Sequence, residues 1–519
     1  MRRRSFLKAA IGAGALVPLA SGGLWARPLR ALPFMRSATA GDRILVLINL
    51  NGGNDGLNTL VPVDDQRYYD ARKVLGVAKS DTLSIAPGAG LYKVVQEIHD
   101  LYSDGTCAIV PNVGYPNQDR SHFRSTDIWN SASNSDQVIT TGWTGRYLET
   151  IHPEYPATLP AAPFAVQVSS STTLLLQGTR GGLGMAIDSP DRFFDLASGL
   201  SASTDPVPAT LAGPQIDFIR RIILEADAYA AEINRAITAG KNRVDYPSGE
   251  IAPDRQGLGP QLQGVARLID GGLPTTIYVV TLGGFDTHYA QSGIHETLLA
   301  DFSKSIKAFL ADIAAGGNAD RVVCMSYSEF GRRLAENNAK GTDHGAAAPQ
   351  FVFGAPVLGG NLLGPMPDLG DLDSRGDVKM KIDFRQLYST ILEDWLGFGH
   401  EDTVRVLGGS FTKLPLFRTS SVESPQQPLS AAGMVKIDAL TPSPATSSAT
   451  LGYTLAGAAH VSVALYASDG TRISTVLDRD QEAGAYELSV DVRTLPSGNY
   501  MVEVSAGRAQ AMRWLQVVR

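Results

Sequence analysis

Thr276-Ile277-Tyr278-Val279-Val280-Thr281-Leu282-Gly283-Gly284-Phe285-Asp286-Thr287-His288 carries an apolar, β-branched run into two glycines and an Asp-x-His triplet. The run Thr276 to Leu282 reads as a buried parallel strand. A second such run, Arg321 to Tyr327, leads into Ser328-Glu329-Phe330-Gly331-Arg332-Arg333 and then Gly341-Thr342-Asp343-His344-Gly345. Both runs therefore deliver carboxylates and imidazoles beyond the carboxyl ends of strands, the edge at which open α/β sheets bind their ligands.

Outward from these strands the same alternation continues. Arg43 to Leu50 is a first strand that enters the glycine-rich turn Asn51-Gly52-Gly53-Asn54-Asp55-Gly56-Leu57-Asn58. Val94, Val95, Ile98, Leu101 and Tyr102 share a helix face ahead of the strand Ala108 to Val113, completing a strand, helix, strand unit. Amphipathic helices are expected at Ile216 to Ile237, Leu262 to Ile269 and Ile294 to Ile313, and a last one from Phe384 to Leu396 ends at Gly397. The implied fold is α/β, a doubly wound and mostly parallel sheet covered on both faces. After Phe417 a polar stretch with Pro425 and Pro428 has little to bury, and from Ile437 the apolar period becomes two, as in Val461, Val463 and Leu465. The expected division is a leader at 1–40, an α/β domain at 41–418, a linker at 419–436 and an Ig-like β-sandwich at 437–519.

Composition sets the class. The 519 residues are 44% hydrophobic and 19% charged, which is globular, and the net charge of -7 comes without a basic stripe. Nucleic acid and cationic membrane contact are therefore poor partners. With only Cys107 and Cys324, a metal site built on cysteine is excluded. Any ion must be held by imidazole, carboxylate, amide or hydroxyl, which favours zinc, calcium, magnesium or manganese. Arg3-Arg4-Ser5-Phe6-Leu7-Lys8 followed by the apolar Ala9 to Ala20 matches a twin-arginine export signal, with cleavage after Ala26 or Ala40. No later segment is apolar enough for a membrane span. The export machinery is thus an expected partner, and the periplasm, the cell surface or the medium the expected location.

Asp286 and His288 lie two apart, so an extended segment sends both side chains to one face and lets them converge on one ion. The plainer reading makes Asp286 a helix cap and His288 a solvated loop residue. His295 begins the next helix, close enough to assist. Asp343 and His344 sit between two glycines, Glu329 at a strand end is a further ligand or base, and Arg332 is either an anion clamp or a surface cation. In Arg120-Ser121-His122-Phe123-Arg124-Ser125-Thr126-Asp127 the preferred nucleophile is Ser121, with Ser125 and Thr126 as rivals. The alternative is a polar cluster that caps a helix. His122 is a ligand, a general acid or the partner that orients Ser121.

Taken together, the twin-arginine leader, the Gly52 to Asn58 turn, Ser121-His122-Phe123, Gly283 to His288, Ser328 to Arg332 and Gly341 to Gly345 resemble the bacterial family called domain of unknown function 1501, over about residues 41 to 415. More distantly the chain is similar to the alkaline phosphatase and sulfatase superfamily, which implies a doubly wound fold with a metal cluster at the strand ends. Two alignments compete. In one, Asp343 and His344 are the superfamily's Asp-His pair; in the other, Glu329 replaces the aspartate, Phe330 removes a histidine and His344 alone is kept. The first strand ends in Asn51 where that superfamily has Asp, leaving Asn51, Asn54, Asp55 or Asn58 as the oxygen donor. The C-terminal sandwich is similar to flagellar hook-cap Ig-like modules and to sorting domains of the type nine secretion system, which implies attachment at the cell surface.

These features imply an exported hydrolase of phosphate or sulfate esters using one or two divalent ions, zinc or calcium first. Asp55, Asp286, His288, Asp343 and His344 are the expected ligands, with Ser121, His122, Glu329 and Arg332 as the catalytic groups. The rival expectation is a non-catalytic envelope protein, with or without an ion, that binds a glycan, an anion or another protein on the same fold.

Overall fold

The computed structural model describes residues 42–188, 213, 216, 229–248, 250–252, 255–418, 435–455, 458–467, 471–506 and 509–519. The leader at 1–40, residues 217–228 of the expected Ile216 to Ile237 helix, and linker residues 419–434 lie outside it. Residues 229–239 of that helix are helical.

Ile44–Asn51 is the centre of a nine-stranded sheet because its side chains are apolar on both faces. Ile44, Val46, Ile48 and Leu50 enter one core with the helices Gln96–Ser103, Leu258–Asp270 and Gln291–Ala315. Leu45 and Leu47 enter the other, with Trp143–Ile151, Phe384–Thr390 and His400–Leu407. Strand alternation thus commits one segment to two cores, as the expected doubly covered sheet requires.

The strand order is Asn361–Leu362, Cys107–Gly114, Ala348–Phe353, Val322–Tyr327, Ile44–Asn51, Ile277–Gly283, Ala165–Gln167 and Gly184–Ala186, with Ile382–Asp383 also beside Cys107–Gly114. Ile44–Asn51 runs parallel to both of its neighbours. Ala348–Phe353 is antiparallel to both of its own, so the sheet is mixed, while the sheet's other pairings are parallel, as the expected mostly parallel sheet requires. Phe353 is in register with Cys324 on one side and with Cys107 on the other. Two strand spacings, roughly 9.5 Å, then separate the two Cα atoms, beyond the reach of a disulfide. Both are free and buried, and burial pushes both thiols up.

The expected helix Phe384 to Leu396 is α-helical at Phe384–Thr390 and π-helical at Ile391–Trp395. Toward the C-terminus, Val435–Thr441, Ser448–Leu455 and Gly484–Asp491 form one antiparallel sheet. Arg472–Gln481, Ala459–Ala467, Gly498–Ala506 and Ala509–Val517 form another, and a single apolar cluster lies between the two, the arrangement of a β-sandwich. None of the described helices is long and apolar enough to cross a membrane.

Candidate metal centre

Ile277–Gly283 and Val322–Tyr327 both end at the edge where Ile44–Asn51 opens into its glycine turn. Gly52 has φ +117° and a Cβ there would stand 2.4 Å from the backbone nitrogen of Asp286, so only glycine allows the two loops to touch. Asp343 and His344 do not follow the Val322–Tyr327 strand directly. They lie on Thr342–His344, the returning arm of a hairpin whose first arm is Arg332–Glu336, with Arg332 in register with His344. This hairpin is stitched to the Asp286 loop by backbone bonds from Thr342 N to Thr287 O (3.2 Å) and from Gln291 N to Lys340 O (2.9 Å). The Asn337 amide adds a bond to His288 O at 3.0 Å.

The two clusters therefore converge. Asp286 Oδ1 lies 3.0 Å from His288 Nε2, 3.1 Å from His344 Nε2 and 3.4 Å from His122 Nε2. The His288 and His344 Nε2 atoms are 2.9 Å apart, and donor atoms of His122, Asp286 and His344 fall within 4.8 Å of one another. Phe330, fully buried, packs against the rings of His122 and His344 at centroid distances of 4.9 and 4.6 Å.

Each imidazole is held from behind. His344 Nδ1 faces the carbonyl of Arg120 at 2.7 Å, which can only accept, so Nδ1 carries the proton. His288 Nδ1 faces the Asp343 carboxylate at 3.1 Å, and His122 Nδ1 faces Glu329 Oε1 at 2.7 Å, so the same assignment follows for both. Three Nε2 lone pairs then point toward one carboxylate oxygen. The His122 Nε2 is buried without a hydrogen-bond partner. Asp286 Oδ1 also accepts from Arg332 Nη2 at 2.8 Å, and a metal ion among the four groups would take up the Nε2 lone pairs that face it. Ligands at roughly 2.0–2.1 Å from one ion lie about 2.9 to 3.4 Å apart for right-angle to tetrahedral geometry, the range of the spacings from Asp286 Oδ1 to the three imidazoles and of the one between His288 and His344. An imidazole whose second nitrogen donates to a carboxylate or carbonyl is the usual setting of a metal ligand.

The electrostatics agree with this arrangement. Burial works to raise the Asp286 carboxyl, but Arg332, which donates to it, and the flanking His344 and His288 outweigh that and hold it well below the usual carboxylate range. Burial lowers His344, while the Glu329 carboxylate raises His122 against the effect of burial. Burial raises Asp343, and its bonds from Asn337 and His288 reverse that.

The remaining expected residues sit elsewhere or do other work. Asp55 is not in the cluster: it caps the short helix Gly56–Thr59 and, fully buried, pairs with Arg72 Nη1 at 2.6 Å. Arg332 was expected as an anion clamp, but its side chain is fully buried and its donors are taken. Nε and Nη1 bind Gly53 O and Thr342 O at 2.8 Å each, and Nη2 serves Gly52 O, Phe285 O and Asp286 Oδ1. It locks three loops together, and with its side chain fully buried it is turned inward, away from a substrate at the surface. Glu329 is buried, accepts Gly52 N–H at 2.9 Å and orients His122. Asp343 stands behind His288, outside the ring of donors around Asp286. His295 is buried and binds Asn54 Oδ1 at 2.9 Å. Ser121 is exposed at the cap of the helix His122–Ser131, whereas Ser125 is buried between Tyr115 and the Glu329 carbonyl.

Sequence reasoning missed Gln291, fully buried, whose Oε1 accepts from Thr342 Oγ1 at 2.6 Å and Thr287 Oγ1 at 3.1 Å, fastening both metal loops. It also missed Asn337, which donates to Asp343 Oδ1 at 3.2 Å. The turn-like Asn337-Asn338-Ala339-Lys340-Gly341 neighbourhood was the available signal for Asn337; for Gln291 there was none.

Residues 264–416, less than a third of the chain, match the model of a family described as protein of unknown function (DUF1501). No curated protein matches the chain. Among solved structures, dimeric latent PorU from Porphyromonas gingivalis is similar over 16% of this chain at 19% identity and a TM-score of 0.14, and the chain spans only 9% of its length. Alkaline phosphatase from the Antarctic bacterium TAB5 is similar over 60% of this chain and 92% of its own, at 9% identity and a TM-score of 0.27. PsFucS1 sulfatase from Pseudoalteromonas sp. is similar over 71% and 68%, at 10% identity and a TM-score of 0.25. Scores this low carry no functional argument for this chain.

Proposed function

We propose that this chain is an exported, metal-dependent hydrolase of phosphate or sulfate esters, its ion held by His122, Asp286, His288 and His344. The observation that carries the reading is the convergence of three back-braced imidazoles on Asp286 Oδ1. Imidazole-rich donors favour zinc or a similar borderline ion over calcium, which takes oxygen ligands. Such an ion, when bound, polarises an ester oxygen and makes an adjacent hydroxyl or water more acidic. The chain's own groups do the rest. Glu329, Asp343 and the Arg120 carbonyl hold the three Nδ1 atoms and so keep the imidazoles aimed with Nε2 toward Asp286. Ser121, exposed beside His122, is the hydroxyl available to accept a phosphoryl or sulfuryl group. Export by the twin-arginine route and attachment through the C-terminal sandwich complete the reading.

A non-catalytic envelope protein is the second reading, and one observation favours it: Arg332 is fully buried and turned to the chain's own carbonyls, not to a substrate anion. Elemental analysis of protein purified without chelators, followed by a panel of phosphate and sulfate esters, decides. About one equivalent of zinc with chelator-sensitive turnover supports the hydrolase. Metal without turnover leaves the binding protein, and no metal after reconstitution removes the site itself.

A further inference from the structure

A cleft of about 520 Å³ adjoins the metal centre at Arg120. Arg120, whose carbonyl holds His344 Nδ1, lines it, and so does Ala346, two residues beyond His344. Its volume is that of a small-molecule site. Of the cations in its wall, Arg120 is occupied by Asp373 and Asp377 at 2.7 and 2.6 Å, and Lys379 by Asp371. Arg375 differs. Among the described residues its guanidinium has no hydrogen-bond or ion-pair partner, although its backbone is firmly held. Asp373 Oδ1 accepts from Arg375 N at 2.8 Å and from Asp377 N at 2.9 Å, and Arg333 donates to Arg375 O. A pinned turn thus presents one uncompensated cation to a cleft beside a centre whose own arginine is used up internally.

We infer that this cleft receives the part of the substrate that lies away from the metal, and that Arg375 pairs with a second negative charge on it. The inference rests on the hydrolase reading and names its substrate class: an ester whose non-reacting portion bears a further phosphate, sulfate or carboxylate. Arg375 is then the specificity residue, and Arg332 contributes nothing to anion recognition.

The test is calorimetric titration of the full-length, metal-replete chain with glucose 1,6-bisphosphate and with glucose 1-phosphate. Wild type, Arg375→Ala and Arg375→Lys are compared, with metal content and circular dichroism confirming that each is intact. The bisphosphate is expected to bind about tenfold or more tightly than the monophosphate, the return on one charge-assisted pair. That advantage collapses in Arg375→Ala and partly returns in Arg375→Lys. Equal affinities in the wild type, no binding of the bisphosphate, or an advantage that survives Arg375→Ala each overturn the inference. Binding is read apart from turnover. A retained advantage with no phosphate released sinks the hydrolase reading alone, and phosphate release from both sugars without an advantage sinks the cleft alone.

Discussion

Arg72 and Asp55 face each other with both side chains fully buried, and Gln291 and Asn58 complete the network. Burial raises the Asp55 carboxyl, and the Arg72 charge and hydrogen bond more than reverse this and keep it ionised. Removing one partner strands the other charge, so Asp55→Ala is expected to cost about 3–5 kcal/mol in urea unfolding. Metal stoichiometry is expected to stay unchanged; a lost equivalent of metal would return Asp55 to the ligand set. His295, close by, is fully buried, and burial lowers it to about 4. Its folded value lies below the unfolded one of roughly 6.5, so the unfolded chain takes up the proton first as pH falls. Its contribution is present above pH 6.5 and is lost towards pH 4, about 3 kcal/mol in all. His295→Gln keeps a donor for Asn54 and is expected to flatten the difference in stability between pH 7 and pH 4.5, measured by denaturant titration. An unchanged slope would clear His295 of this role.

Among the elements, the strands were legible because β-branched runs bounded by glycine have few other readings, as at Ile277–Gly283 and Val322–Tyr327. Strand direction was not, since a period-two or continuous apolar pattern is the same in either sense; Ala348–Phe353 runs antiparallel for that reason. The short arms Arg332–Glu336 and Thr342–His344 escaped notice because neither has apolar alternation. In the candidate metal centre, the nearness of Asp286 and His288 was readable from local spacing. The His122 to Glu329 pairing was not, because 207 residues separate them. The burial of Arg332 was equally hidden, since carbonyls from three separate loops create its site. The meeting of the glycine turn and the Asp286 loop gives a test at this scale. Gly52→Ala puts a methyl 2.4 Å from Asp286 N at φ +117°. It is expected to cost about 1–3 kcal/mol in strain and to weaken metal binding in competition with a chelating dye. Undiminished metal affinity would show that the Asp286 loop moves freely.

At the scale of the whole molecule, the candidate metal centre draws His122, Asp286, His288 and His344 from three segments far apart in the chain. An ion bound there acts as a cross-link on the folded state alone. At free zinc near a thousandfold above Kd it adds about 4 kcal/mol, so EDTA is expected to lower the thermal midpoint and zinc to restore it. A midpoint indifferent to both would remove the ion from the structure's stability.

The central strand Ile44–Asn51 has a consequence for how the chain is made. Its two neighbours, Ile277–Gly283 and Val322–Tyr327, emerge from the ribosome about 230 and 280 residues after it. At synthesis rates of roughly 5–20 residues per second, an unpaired apolar segment waits tens of seconds for its partners. Every nascent molecule therefore passes through a window in which Ile44 to Leu50 is open to a chaperone or to another nascent chain. A fragment stopping short of Ile277 never leaves that window, and its recovery is expected only with a chaperone or from aggregates.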